Sequence, residues 1–103
     1  MRLMASGYVG ILSVDLLFPE SGSLKDKRQY LRSAKALLQN RFGASVSEVD
    51  YHDLRQRSRL LVALAATDLG TLEQLFDGAD RYLHGQEYEV AALERRVVAA
   101  GDE

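Results

Sequence analysis

The sequence predicts an α+β domain of the ferredoxin-like class, in which two helices lie on one face of a four-stranded antiparallel sheet. Two stretches have apolar residues at helical spacing, and four others have the composition of strands. Their order along the 103 residues is βαββαβ, which predicts the spatial strand order 4-1-3-2. The alternative, an open α/β sheet, would need longer parallel strands than this chain supplies.

The first strand is predicted for residues 8–18, where side chains alternate between two faces of a sheet. One face carries Tyr8, Gly10, Leu12, Val14, Leu16 and Phe18, and the other carries Val9, Ile11, Ser13, Asp15 and Leu17. The stretch PESG ends this strand. Ser23, with Asp26 three residues later, predicts a capping box at the start of the first helix, and Gly43 ends that helix.

The second half of the chain is predicted to contain a hairpin, a helix and a last strand. Residues 44–50 and 59–67 form the hairpin, with the polar stretch YHDLRQRS between them. Thr67 or Asp68 caps the second helix, which ends at residues 84–86, and the last strand follows at 87–98. The single domain is thus expected at 7–98, between a flexible leader at 1–6 and a frayed tail at 99–103.

No signal peptide or membrane span is expected. Asp15 interrupts the apolar run near the N-terminus, and no cleavage site of the A-x-A type follows it. No segment approaches the roughly 20 apolar residues of a spanning helix. The absence of cysteine excludes disulfides and thiol chemistry, and it agrees with a location in the cytoplasm.

Charge is unevenly distributed along a chain whose formal net charge is −2. Residues 23–59 contain nine Lys and Arg against four Asp and Glu, so the rest of the chain is acidic. An asymmetry of this kind indicates an anionic partner. Internal neutralisation of the basic segment by Asp26, Asp50 and Asp53 is the alternative, and both interpretations stay open.

The predicted topology brings basic residues from distant positions to one end of the sheet. The start of the first helix, the hairpin loop and the end of the second helix, with His84, all lie there. Lys27 falls within the apolar side of the first helix but is expected to lean past the sheet toward this end. The predicted basic rim consists of Lys25, Lys27, Arg28, Arg32, Lys35, Arg55 and Arg57.

The basic rim is expected to contact phosphates, above all those of structured RNA or of a ribosomal subunit. A helix N-terminus offers free N–H groups to an anion, and clustered cations add to this attraction. No base contacts and no DNA sequence recognition are expected. Stacking of bases on the sheet is not expected either, because the central strand RLLVALAAT has no aromatic residue.

A second hypothesis is a homodimer that pairs through sheet faces. Both central strands are apolar on both sides, so the face away from the helices is expected to keep an exposed apolar patch. Its predicted residues are Val9, Ile11, Leu61, Ala63 and Ala65. This dimer is compatible with RNA binding, and a homodimeric interaction module without nucleic-acid binding is the alternative function.

No catalytic residues, cofactor or metal site are predicted. Asp50, His52 and Asp53 share the hairpin loop, but nothing elsewhere in the sequence completes a ligand set. Acylphosphatases have this size and topology, yet PESGSLKDKR lacks their glycine-rich phosphate loop with an arginine after the first strand. A small phosphate-ester or acyl phosphate enzyme is therefore the least favoured alternative.

Three motifs resemble the YlxP-like family, small bacterial proteins classed as a domain of unknown function. They are S-L-K-x-K-R at 23–28, N-R-F at 40–42 and D-L-x-Q-R at 53–57, and the resemblance runs from about residue 7 to 98. It implies a ferredoxin-like fold, a bacterial cytoplasmic protein and no catalytic residues. Members are often encoded beside translation factors and a ribosome-binding factor, which implies a role in ribosome maturation or translation. Arg55 departs from the family, where an aromatic residue is common, and so does Gly43, where Asn is common.

Overall fold

The computed structural model describes residues 6–19 and 21–101. The elements in this part of the chain are β1 (Tyr8–Leu17), α1 (Leu24–Phe42), β2 (Ser45–Asp50), β3 (Arg57–Ala66), α2 (Leu69–His84) and β4 (Glu89–Ala99). The strands form one sheet in the order β2-β3-β1-β4, and all neighbours are antiparallel. The predicted ferredoxin-like fold and strand order are confirmed.

Two strand ends differ from the sequence prediction. β3 begins at Arg57, two residues earlier than predicted, because Arg57 still pairs with Leu17 of β1. β4 begins at Glu89, two residues later than predicted, because bends and turns follow α2. The other predicted ends agree within one residue.

The two ends of the domain are hydrogen-bonded to each other. The Ala100 N–H donates to the Gly7 carbonyl oxygen at 2.9 Å, and the Ser6 N–H donates to the Ala100 carbonyl oxygen at 3.3 Å. The tail predicted to be frayed at 99–103 therefore starts with paired residues. Residues 1–5 of the predicted leader and 102–103 of the tail lie outside the described residues.

The core lies between the sheet and the two helices. Alternate residues of β1 and β3 face the helices, and the apolar sides of both helices pack against them. The main buried side chains are Leu12, Val14, Leu16, Leu31, Leu38, Leu60, Val62, Leu64, Leu72, Phe76 and Leu83. Burial of each such side chain contributes about 1.5–3 kcal/mol, and the core therefore fixes which face of the sheet remains open.

Both helices begin at a capping side chain. Asp68 accepts a hydrogen bond from the Thr71 N–H at 2.8 Å at the start of α2, and this bond holds the pKa of Asp68 below its usual value. α1 ends at Gly43, whose left-handed φ of 65° favours glycine. Within the described ranges, neither helix has the length and apolar character needed to cross a membrane.

Candidate anion-binding surface

The start of α1 is fixed by two hydrogen bonds between side chains and backbone N–H groups. The Ser23 hydroxyl accepts from the Asp26 N–H at 3.1 Å, and the Asp26 carboxylate accepts from the Gly22 N–H at 3.3 Å. This is a variant of the predicted capping box, because the Asp26 carboxylate bonds to the N–H of Gly22, one residue before the cap residue Ser23. It sets the first turn of α1, and with it the directions of Lys25, Lys27 and Arg28.

Lys27 joins the start of α1 to the loop between β2 and β3. Its ammonium donates to the carbonyl oxygens of Tyr51 at 2.8 Å and Arg57 at 3.0 Å, and a longer contact reaches the carbonyl of His52. It also lies 3.0 Å from a carboxylate oxygen of Glu48. The helix start and the hairpin therefore meet at one end of the sheet, as the topology predicts.

Burial removes Lys27 from the predicted basic rim. Its side chain is 1% exposed, and its donors are used by the carbonyls and by Glu48. Lys27 does reach toward this end of the sheet, as expected, but its ammonium is enclosed there, so its inclusion among the residues that bind an external anion is wrong. The sequence feature that indicates this burial is the position of Lys27 on the apolar side of the helix. Burial is possible because oxygen atoms at the end of the sheet satisfy the ammonium.

Glu48 completes this buried contact. Its carboxylate accepts from the Ser58 hydroxyl at 2.7 Å and pairs with Lys27. Burial pushes the pKa of Glu48 upward, but the Ser58 bond and the Lys27 charge outweigh burial and hold it below its usual value. Glu48 therefore stays ionised beside the lysine at neutral pH. Its partnership with Lys27 was not predicted, because the place of Glu48 on the helix-facing side depends on the register of β2.

Arg57 lies on the open face of the sheet, away from the start of α1. Its guanidinium is 3.4 Å from Asp15 and stacks 4.1 Å from the centre of the Tyr51 ring. Arg59, which was not among the predicted site residues, binds Asp15 more closely, at 2.6 Å, and lies 3.6 Å from Asp50. Arg57 is therefore corrected from a member of the rim to a member of a neutralised cluster.

The cluster follows from the strand register. Asp15 faces Arg59 across β1 and β3, and Leu17 faces Arg57, so the three charged side chains share the open face. The bond from Arg59 holds the pKa of Asp15 below its usual value, and Arg57 adds to this effect. Alternation in β1 already placed Asp15 on this face. Pairing with Arg59 could be identified only once the register was known.

Four basic residues of α1 face outward and form the surface that we call the basic ridge. Lys25, Arg28 and Arg32 are exposed, and Lys35 is half-buried. None of the four makes an ion pair with another residue in the described part of the chain. From Lys25 to Lys35 the ridge extends about 15 Å along the helix axis.

The basic ridge borders the edge strand β2. Arg28, Leu31, Arg32 and Lys35 line a shallow groove of about 260 Å³ whose far side is Glu48. The Glu48 carboxylate is already paired with Lys27, so the groove keeps the excess positive charge of the ridge. Arg55 is exposed in the hairpin loop, which Lys27 ties to the same end of α1.

The predicted dimer residues lie together on the open face. Pairing places Val9 opposite Ala65 and Ile11 opposite Ala63, while Leu61 faces Ser13. Val9 is 36% exposed and Leu61 is 40% exposed, because neither helix covers this face. The apolar patch exists as expected. The charged cluster lies next to it on the side of the hairpin loop and consists of Asp15, Arg57 and Arg59.

Metal ligands do not assemble in the described residues, where no group of three His, Cys, Asp or Glu could hold an ion. His52 instead contacts the Glu48 carbonyl oxygen at 3.0 Å through its Nε2 atom. His84 lies at the end of α2, where its Nδ1 atom is 2.6 Å from Asp80. Both histidines therefore have local structural partners.

Comparisons of the sequence identify a family and a relative of unknown function. A family model described as "Protein of unknown function (DUF503)" matches residues 9–96. The uncharacterized protein YlxP of Bacillus subtilis is 32% identical over 59 residues, which are 57% of this chain and 64% of that protein.

Two solved structures of low sequence identity are also similar. The de novo designed protein Foldit4 is 14% identical, with a TM-score of 0.53 over 90% of this chain and 97% of the design, which shows the fold alone. SnoaB, a cofactor-independent oxygenase from Streptomyces nogalater, is 10% identical, with a TM-score of 0.47 over 96% of this chain and 97% of SnoaB. At that score the likeness carries no inference about activity.

Proposed function

The chain belongs to the family described as Protein of unknown function (DUF503), and we propose that it binds structured RNA through the basic ridge. The proposed role is binding without catalysis, in the cytoplasm, with a ribosomal subunit as the expected particle. Contacts are to phosphates, and no base recognition is assigned. Arg55 in the hairpin loop extends the contact surface beyond α1.

The observation that carries this proposal is the difference between paired and outward-facing cations. Lys27, Arg57 and Arg59 are held by carboxylates, whereas Lys25, Arg28, Arg32 and Lys35 project along one side of a single helix. Four cations placed along about 15 Å of helix repel one another, and a phosphate backbone relieves that repulsion. Solvent-exposed charges of both signs are usually interspersed on a protein surface, so ordinary surface charge does not account for a row of four cations.

Co-sedimentation with ribosomal subunits at low and high salt tests the proposal. We expect the wild type to sediment with a subunit at low salt and to be released at high salt, because each phosphate contact displaces counterions. The Arg28→Glu/Arg32→Glu variant should fail to sediment even at low salt. Both residues are exposed, so circular dichroism should show an intact fold.

The matched control is Arg41→Glu/Arg81→Glu, which changes the net charge by the same amount at exposed positions outside the ridge. This control should still sediment with the subunit. Equal association of the two double variants, or wild-type association that does not respond to salt, would contradict the proposal.

The open apolar patch supports a second candidate, a homodimer that pairs through sheet faces. Val9 and Leu61 expose apolar surface next to each other on β1 and β3. Burial of this patch against a second copy would remove it from water. This candidate predicts that analytical ultracentrifugation finds a dimer for the wild type and a monomer for Leu61→Glu.

A further inference from the structure

β4 is a long edge strand, and most of its length is open to pairing with another chain. It forms one edge of the sheet, contains eleven residues and has neither Pro nor Lys. Of the features that protect such edges in natural proteins, β4 has charged side chains and one irregularity in its pairing. The irregularity in β4 lies near its start, opposite Asp15 and Leu16, and leaves residues 92–99 in regular register.

The backbone groups that β4 turns outward can be identified. Tyr8 faces Ala99, and the Ala100 N–H donates to the Gly7 carbonyl oxygen. In an antiparallel ladder, hydrogen-bonded and non-hydrogen-bonded pairs alternate. Residues 94, 96 and 98 therefore bond to β1, and Leu93, Arg95 and Val97 turn their N–H and C=O groups outward.

The side chains of β4 are complementary to a second, antiparallel copy of the same strand. A two-fold axis at Arg95 places Glu94 opposite Arg96 of the second copy, and Arg96 opposite Glu94. The same axis places Leu93 opposite Val97 on the helix face and Ala92 opposite Val98 on the open face. Opposite charges and apolar pairs directly across an antiparallel ladder are each stabilising.

Other registers lose this complementarity. A shift of the pairing by one residue would place open-face side chains against helix-face ones. A shift of the axis by one residue in either direction would place Glu94 against Glu94 or Arg96 against Arg96. We propose that the chain forms a two-fold dimer by antiparallel pairing of β4 with β4 of a second copy, centred on Arg95.

Arg95 at the axis does not carry uncompensated charge. Its guanidinium is 2.9 Å from Asp77, 3.1 Å from Asp80 and 3.6 Å from Glu73, all on α2, and it lies over the Phe76 ring. The two arginines that approach at the axis are therefore each held back against their own helix by carboxylates. The outward N–H and C=O groups at the centre of the proposed interface are therefore accessible to the second copy.

The edge dimer would form an eight-stranded sheet with β2 at both outer ends. Neighbouring strands lie about 4.8 Å apart, so the two β2 strands would be roughly 34 Å apart. If the basic ridge beside β2 binds RNA, as proposed above, the dimer presents two such ridges. The pairing itself depends only on β4, however, and is tested separately from RNA binding.

Sedimentation velocity over a concentration series, with charge-exchange variants, tests the edge dimer. The wild type should dimerise, and Arg96→Glu should weaken the dimer about tenfold or more, because two opposite-charge pairs become like-charge pairs. Glu94→Arg/Arg96→Glu should restore the wild-type dissociation constant, since it exchanges the charges within each pair. Both residues are exposed, so all three proteins should remain folded.

Two further variants separate edge pairing from face pairing. Val97→Pro removes an outward N–H, which an edge strand tolerates within the monomer, and it should abolish the dimer. Leu61→Glu alters only the open face and should leave the edge dimer intact. A wild type that is monomeric at all concentrations, or a dimer lost in Leu61→Glu but kept in Val97→Pro, would overturn the proposal while leaving the RNA-binding test unaffected.

Discussion

Lys27 shows how one residue changes its role according to what surrounds its terminal atoms. A cation in the first turn of a helix opposes the helix dipole, which disfavours it there. Three backbone carbonyls and Glu48 offset this cost, because they satisfy the ammonium without water. Lys27 therefore fixes the hairpin loop, in which Tyr51 adopts a left-handed φ of 64°.

Replacement of Lys27 by Met should destabilise the fold. The change leaves the half-buried Glu48 carboxylate without its cation, and removal of one partner of a buried ion pair costs about 3 kcal/mol. Urea unfolding should show this loss, and Lys27→Met/Glu48→Gln should recover part of it. Lys25→Met, at an exposed position of the same turn, is the control and should stay within about 0.5 kcal/mol of the wild type. Equal stability of Lys27→Met and Lys25→Met would contradict this role.

Asp15 should make stability depend on pH in the acidic range. Arg59 and then Arg57 lower the pKa of Asp15 in the folded state below the unfolded value of about 3.9. The contribution of Asp15 to the free energy of unfolding is therefore present at neutral pH. It is lost as the pH falls below about 4 and through the lower pKa of the folded state. Asp15→Asn should cost about 1 kcal/mol at pH 7, because the arginines are partly exposed and screened. Its difference from the wild type should shrink toward pH 2, and a constant difference would exclude Asp15 as the source.

At the scale of elements, α2 is positioned by a close approach to β1 at Gly10. A Cβ atom there would lie 2.5 Å from the Phe76 ring and 2.8 Å from Leu72. Gly10→Ala should therefore shift α2 and cost about 1–3 kcal/mol in thermal or urea unfolding. Gly70→Ala is the control, because its Cβ would meet only a 3.4 Å contact at the exposed start of α2. A Gly10→Ala protein as stable as this control would contradict the packing.

The elements were predictable from local pattern, whereas the partners of charged side chains were not. Alternation in β1 and the capping box at Ser23 depend on neighbouring residues, so the sequence alone identifies them. The pairing of Asp15 with Arg59 depends on the register between two strands, and that of Lys27 with Glu48 depends on how β2 meets α1. The predicted meeting of helix and hairpin is confirmed, but two of its basic residues are occupied, Lys27 by Glu48 and Arg57 by Asp15.

Across the whole molecule, the charges separate by side. The basic ridge lies on α1 beside β2, and α2 carries Glu73, Asp77 and Asp80 toward β4 at the other edge of the sheet. A net charge of −2 therefore conceals two oppositely charged sides. Such an arrangement orients the molecule as it approaches an anionic particle, so that the ridge arrives first.

The most direct test of RNA binding through the basic ridge is the salt dependence of affinity for a labelled RNA stem-loop. The plot of log affinity against log salt should have a negative slope for the wild type. Arg28→Ala/Arg32→Ala should reduce the steepness of that slope by about 2, roughly 1 for each phosphate that the variant no longer neutralises. Arg41→Ala/Arg81→Ala should leave it unchanged. Identical slopes for the two double variants, or a wild type whose affinity does not vary with salt, would contradict RNA binding through the ridge.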